Sequence, residues 1–132
     1  MLVLRLTALL SLAALLSACA QKPNSVTLDQ KHQSKCPLEL HVGQQFILRL
    51  PSNPTTGFRW LMRDAAPQVL KSLGPEVYSN PEDTGLVGSS GISTWRFNVM
   101  ATGEGQLSLT YERPWEVGVV PAQRFACTLK AQ

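Results

Sequence analysis

Residues 45–63 read QFILRLPSNPTTGFRWLMR, and the architecture follows from this stretch. On one side Phe46, Leu48 and Leu50 alternate with Ile47 and Arg49. On the other, Phe58, Trp60 and Met62 alternate with Arg59, Leu61 and Arg63. A period of two sends successive side chains to opposite faces of a strand, so each flank predicts a strand with one buried face. Between them, Ser52-Asn53-Pro54-Thr55-Thr56-Gly57-Phe58 predicts a turn, because Asn-Pro initiates turns and glycine tolerates positive φ. Thr55 and Thr56 are β-branched and stiff at χ1. The loop is therefore pre-shaped, carries no catalytic equipment, and suits insertion into something else.

The same alternation recurs outward along the chain. Leu38, Leu40 and Val42 share one parity with Cys36, while Glu39 and His41 take the other. Trp95-Phe97-Val99, Leu107-Leu109-Tyr111 and Phe125-Cys127-Leu129 repeat it. The pattern weakens from Asp64 to Gly91, where Pro67, Pro75 and Pro81 interrupt; Val69, Leu70 and Leu73 fit either a short strand or a helical turn. No segment carries a helical stripe. Roughly six or seven short strands separated by turn signals predict an all-β fold, an antiparallel β-sandwich of immunoglobulin-like topology, with a small barrel as the alternative.

The chain has 132 residues, enough for one domain, and the N-terminus reads as a separate segment. Arg5 followed by the apolar run Leu6–Leu16 has the form of a secretory signal, too short to span a membrane. It ends in Leu16-Ser17-Ala18-Cys19, which resembles a bacterial lipoprotein box. Residues 1–18 are thus expected to be a lipoprotein signal peptide, with Cys19 lipidated; an ordinary signal cleaved nearby is the alternative. Ala20 after the cysteine points to the outer membrane, facing the periplasm or the surface. Residues 19–35 are polar and read as a flexible tether with a reach of roughly 20 Å. Residues 36–132 are expected to be the folded domain.

The full chain has 12 basic and 9 acidic residues; removing Arg5 with the signal leaves 11 against 9, a charge of +2. That excess is small and scattered, which argues against nucleic-acid binding. Cys36 and Cys127 both take inward parity. In an exported protein they are expected to form a disulfide joining the first and last strands, against the alternative of two buried thiols.

Catalytic equipment is lacking. Only His32 and His41 are present; His32 falls in the tether, and His41 takes the parity opposite to Cys36. No nucleophile and base can share a face, and no metal-binding, phosphate-binding or hydrolase motif occurs. Glu82-Asp83 reads as a solvated loop pair. The chain is not expected to be an enzyme or to hold a metal or cofactor. Trp60 and Trp95 take inward parities and read as core. Trp115, in Arg113-Pro114-Trp115-Glu116, falls just after an alternating run, which predicts an exposed binding anchor; folding back over the sandwich end is the alternative. Gly88-Ser89-Ser90-Gly91 precedes the Trp95 strand, and its small residues would let a backbone approach a partner closely, unless it is a plain turn.

In order, these three segments resemble the chagasin family of cysteine-protease inhibitors, whose motifs are N-P-T-T-G followed by an aromatic, G-x-G-G, and R-P-W or R-P-F. The resemblance covers Cys36 to Gln132, with Ser90 standing where the family has a glycine. It implies an immunoglobulin-like sandwich with three loops at one end. Those loops would enter the active-site cleft of papain-like proteases as a reversible, competitive, non-covalent inhibitor. Asn53, Pro54, Thr55, Thr56, Gly57 and Phe58 would lie over the catalytic cysteine, with Thr55 and Thr56 making most of the contact. Gly88, Ser89, Ser90 and Gly91 would contact one side of the cleft. Trp115 would stack on aromatics at the other side, with Arg113 and Pro114 shaping its loop. The protein would act as a monomer. A sandwich lipoprotein binding a non-protease envelope partner is the second reading.

Overall fold

The computed structural model describes residues 21–80 and 90–132, so Cys19, Gly88, Ser89 and the Glu82-Asp83 pair lie outside the described residues. Among the described residues, nine strands run in chain order: β1 Ser25–Asp29, β2 Leu38–Leu40, β3 Gln45–Ser52, β4 Arg59–Ala65, β5 Leu70–Ser72, β6 Val77–Ser79, β7 Gly91–Val99, β8 Gly103–Glu112 and β9 Gln123–Ala131. They form two sheets. One has the order β1-β3-β7-β5, with β6 also pairing β7; the other has the order β2-β9-β8-β4.

The alternating residues face each other across the sandwich. Phe46, Leu48, Leu50, Trp95, Phe97 and Val99 from the first sheet meet Trp60, Leu107, Leu109, Tyr111, Phe125 and Leu129 from the second, all buried. Fully burying each such aliphatic or aromatic side chain contributes about 1.5–3 kcal/mol, so this interface holds the fold together. Trp60 and Trp95 are core, as their parity predicts. Around Val69 and Leu70 both of the expected alternatives are present: their N–H groups donate to Ala66 O in a turn that then feeds the short strand β5.

Three features correct the sequence-based picture. First, the sheets are mixed: β1 pairs β3 in parallel and β2 pairs β9 in parallel, while the remaining pairings are antiparallel. The chain rises in β1, crosses to the other sheet for β2, and crosses back for β3, so two reversals return it in the original direction.

Second, the folded unit begins at Ser25 and not at Cys36. Leu28, paired with Leu48 of β3, is 1 % exposed, and Gln30–Lys35 forms a 3₁₀ segment capped by Asp29, whose carboxylate accepts the His32 N–H at 2.9 Å. Desolvation would raise the Asp29 pKa, but hydrogen bonds from the His32 side chain and backbone outweigh it and hold the carboxyl below its ordinary value. Two apolar residues, Val26 and Leu28, are too short an alternation to announce a strand; pairing with β3 supplies what local pattern lacks. Third, Val42 is 47 % exposed, because β2 ends at Leu40 and the chain turns back, Gln44 N–H donating to His41 O.

The Cys36–Cys127 disulfide is formed, with Cα atoms 5.4 Å apart across a sequence separation of 91. It ties the lead-in to β2 onto β9. Closing a loop of that size restricts the unfolded chain by about 4–5 kcal/mol in the chain-entropy account.

Candidate functional site

Strand register brings three connections to one end of the sandwich. Ser52, the last residue of β3, pairs with Gly91, the first of β7; Arg59 at the start of β4 pairs with Glu112 at the end of β8; and Tyr111 pairs with Gln123 at the start of β9. The β3–β4 loop, the β6–β7 connection and the β8–β9 loop therefore leave from a common rim.

The β3–β4 loop is a single 3₁₀ turn, Pro54–Thr56, closed by Gly57 at φ +83°. Pro54 begins the turn, where a fixed φ is already correct and the missing N–H costs nothing. Inside the loop, Thr55 Oγ1 donates to Asn53 Oδ1 at 2.6 Å and Thr56 Oγ1 donates to Asn53 O at 2.7 Å. Both threonines are exposed all the same. The loop is also tied to the body below. Asn53 N–H donates to the Tyr111 hydroxyl at 2.9 Å, Trp60 Nε1 donates to Pro51 O at 2.9 Å, and Arg59 Nη1 donates to the carbonyls of Pro54 and Phe58 at 3.0 and 2.9 Å.

The β8–β9 loop locks onto this turn. Arg113 Nε donates to Thr56 O at 3.0 Å, and its guanidinium carbon lies 4.5 Å from the centroid of the Phe58 ring. Glu116 holds the other side of the fork through Arg113 Nη1 at 3.1 Å. Phe58 stacks on Tyr111 at 5.2 Å, and Tyr111 meets Trp60 at 4.8 Å, so an aromatic column runs from loop to core.

Trp115 combines the two expected alternatives. Its ring lies over Gly57, so closely that a Cβ there would come within 2.2 Å of the indole Cη2. The side chain is nevertheless 66 % exposed. Gly57 thus meets two demands at once, a positive φ and the absence of a side chain beneath the tryptophan.

Ser90 is exposed and lines a shallow cleft with Asn53, Thr56, Phe58 and Tyr111. Gly91 behaves differently from its sequence-based role. It is buried, and a Cβ there would come within 2.5 Å of Ser79 O and of the Tyr78 ring. The room that glycine provides is filled by β6 of the same chain, so Gly91 shapes the rim instead of admitting a partner's backbone.

Sequence reading missed the supports Tyr111, Arg59 and Glu116, whose roles depend on how the loops and strands of the rim meet. It also missed the apolar run Val117, Val119 and Val120 beyond Trp115, all exposed, although valines clustered in a loop were a visible signal. Among the described residues, no group of three or more His, Cys, Asp or Glu could hold a metal ion. The surface offers rigid shape, an exposed indole and hydroxyls.

Residues 39–129 match the family model described as chagasin family peptidase inhibitor I42. The chain is 34 % identical over 96 residues to Chagasin of Trypanosoma cruzi, spanning 71 % of this chain and 87 % of that one. Among solved structures, the crystal structure of a cysteine protease inhibitor from Entamoeba histolytica matches with a TM-score of 0.68 at 22 % identity, over 84 % of this chain and 100 % of that one. PbICP-C, solved in complex with falcipain-2, matches with a TM-score of 0.51 at 19 % identity, over 84 % and 92 %. At those identities the two structures establish a shared fold.

Proposed function

The chain belongs to the chagasin family of peptidase inhibitors, and on that basis we propose that it blocks papain-like cysteine proteases by inserting its loop rim into their active-site cleft. The observation that carries this is the mutual locking of two loops: Trp115 seated on Gly57, and Arg113 bridging to Thr56 O while covering Phe58. A flexible loop entering a groove must be ordered there, at about 0.5–1.5 kcal/mol for each immobilised side chain. In the β3–β4 and β8–β9 loops these contacts are already made before encounter, which leaves more of the contact energy for affinity.

The same hydrogen bonds hold four carbonyls of the central loop out of line for attack. A cysteine protease attacks a carbonyl whose oxygen enters the enzyme's oxyanion hole. In the central loop the carbonyls of Asn53, Pro54, Thr56 and Phe58 already accept hydrogen bonds from within the inhibitor. Presenting one to the oxyanion hole would break the contacts that shape the loop. Inhibition is competitive, reversible and non-covalent. Thr55 and Thr56 cover the catalytic thiolate, Trp115 contacts one wall of the cleft, and the segment from Gly88 to Ser90 takes the other, with Gly91 behind it as a spacer.

The protein acts as a monomer held to the bacterial envelope through acylated Cys19, at the outer membrane. The Leu16-Ser17-Ala18-Cys19 box supports this anchoring. Several acyl chains on one residue hold a protein stably where one does not. Titration of the purified protein against a panel of papain-like and caspase-like proteases tests the function. Tight, competitive inhibition of the papain-like members alone is expected; no effect on them at micromolar protein would overturn it.

A further inference from the structure

The end of the sandwich opposite the loop rim is where the chain enters. Parallel pairing sets Ser25 beside Gln45, at the far end of β3 from Ser52. The residues before Ser25 are fastened to that end: Gln45 N–H donates to Asn24 O at 2.9 Å, and Gln44 Nε2 donates to Pro23 O at 2.8 Å. Lys22 Nζ lies 3.4 Å from His41 Nδ1. The turn at 41–44 and the start of the β7–β8 turn share this base, since Gly43 N–H donates to Val99 O and Val99 N–H donates to Gln44 O. Val42 and Met100 lie on these turns, 47 % and 49 % exposed.

Two lengths then settle the geometry. From Cys19 to the fastened Pro23 there are four residue steps, which span at most about 14 Å when fully extended. From base to rim, the seven steps of β3 from Gln45 to Ser52 rise about 23 Å. The lead is too short to reach the loop end.

Given acylation of Cys19 as proposed above, we propose that the base around Val42 and Met100 is a membrane-facing surface, and that the loop rim is displayed away from the bilayer at a height set by the sandwich. The partner of this surface is the headgroup layer of the bilayer that holds the acyl chains. Val42 and Met100 sink their exposed apolar area at the boundary, and Lys22 meets its anionic groups. Residues 19–35 are then not the long flexible tether the composition suggests, because Pro23 and Asn24 are fastened to the base and β1 begins at Ser25. A protease reaching the rim comes from the aqueous side, or has a cleft opening toward this membrane.

The test uses the acylated full-length product reconstituted in phosphatidylethanolamine–phosphatidylglycerol vesicles with brominated lipid as quencher. Trp115 is the exposed native tryptophan and reports on the rim, while Trp60 and Trp95 are buried. In a Val42→Trp, Trp115→Phe protein the introduced indole reports on the base. Brominated lipid should reduce the base emission about twofold and leave Trp115 emission unchanged. Inhibition of papain on vesicles should match that of the mature chain, made without signal or acyl group, in solution. Quenching of Trp115, or inhibition at least tenfold weaker on vesicles than in solution, would overturn the orientation. Mass spectrometry of the membrane-extracted protein that finds no acyl chain on Cys19 would overturn the anchoring on which it rests. Failure of the soluble protein to inhibit papain would remove the inhibitor reading alone, and the quenching pattern would still decide the orientation.

Discussion

Replacing Gly57 by alanine separates shape from stability at the rim. Gly57 sits at φ +83°, where a Cβ crowds the backbone and costs about 1–2 kcal/mol. The new methyl would also stand 2.2 Å from Trp115 Cη2, well inside the 3.4 Å of an ordinary contact, so the indole must move by more than 1 Å. Gly43 supplies the control. It has φ +95° and no atom within 4 Å of the place a methyl would take, so Gly43→Ala carries the backbone strain without displacing a ring. Thermal unfolding of both variants should show similar losses, about 4–8 °C for each kcal/mol in a domain of this size. Inhibition constants against a papain-like protease, measured well below either transition, should differ. Gly57→Ala should weaken inhibition at least about tenfold, the equivalent of 1.4 kcal/mol, and Gly43→Ala should leave it unchanged. Equal inhibition constants for Gly57→Ala and the unsubstituted protein would refute the seating of Trp115 on Gly57 as a source of affinity.

Trp115→Ala should raise the inhibition constant about thirtyfold or more, as loss of a 2 kcal/mol anchor does, with little change in melting temperature because the side chain is mostly exposed. Thr56→Ala removes a hydrogen bond within the loop and should cost about fivefold in the same titration, in line with a net contribution near 1 kcal/mol. Tyr111→Phe removes the hydroxyl that accepts the Asn53 N–H, and chemical denaturation should show a loss of about 1 kcal/mol. Paired Cys36→Ala, Cys127→Ala substitution should lower unfolding free energy by about 4 kcal/mol in guanidinium titrations, while the folded fraction keeps its inhibition constant because the bridge does not touch the rim.

Much of the candidate site was legible because its loops are built from residues with strong local preferences. Asn53-Pro54 and Gly57 dictate a tight turn wherever they occur between two alternating runs, and Pro54 and Gly57 adopt the expected conformations. Trp115 was conspicuous for the opposite reason, a large apolar side chain where no strand could bury it. Gly91 shows the limit of such reading. A glycine ahead of a strand fits both an approach site for a partner and a gap filled from within, and only the position of Tyr78 and Ser79 distinguishes them. Arg113 is similar: sequence marks it as part of R-P-W, but its hold on Thr56 O spans 57 positions and arises from register.

Local pattern was enough to settle the class of structure and the identity of the binding segments. Period-two alternation and turn chemistry are written in neighbours one to four residues apart, and Phe46, Trp60, Trp95, Leu107 and Phe125 are all buried as that alternation required. Which strands pair and in which direction, where the domain begins, and how the loops brace one another were set by tertiary packing alone. Val26 and Leu28 become a strand only because β3 offers an edge, and this moves the start of the rigid body from Cys36 to Ser25. The physical reason is common to all three. Burial depends on what lies opposite, and the residues opposite Leu28, Gly57 and Gly91 are not their neighbours in the chain.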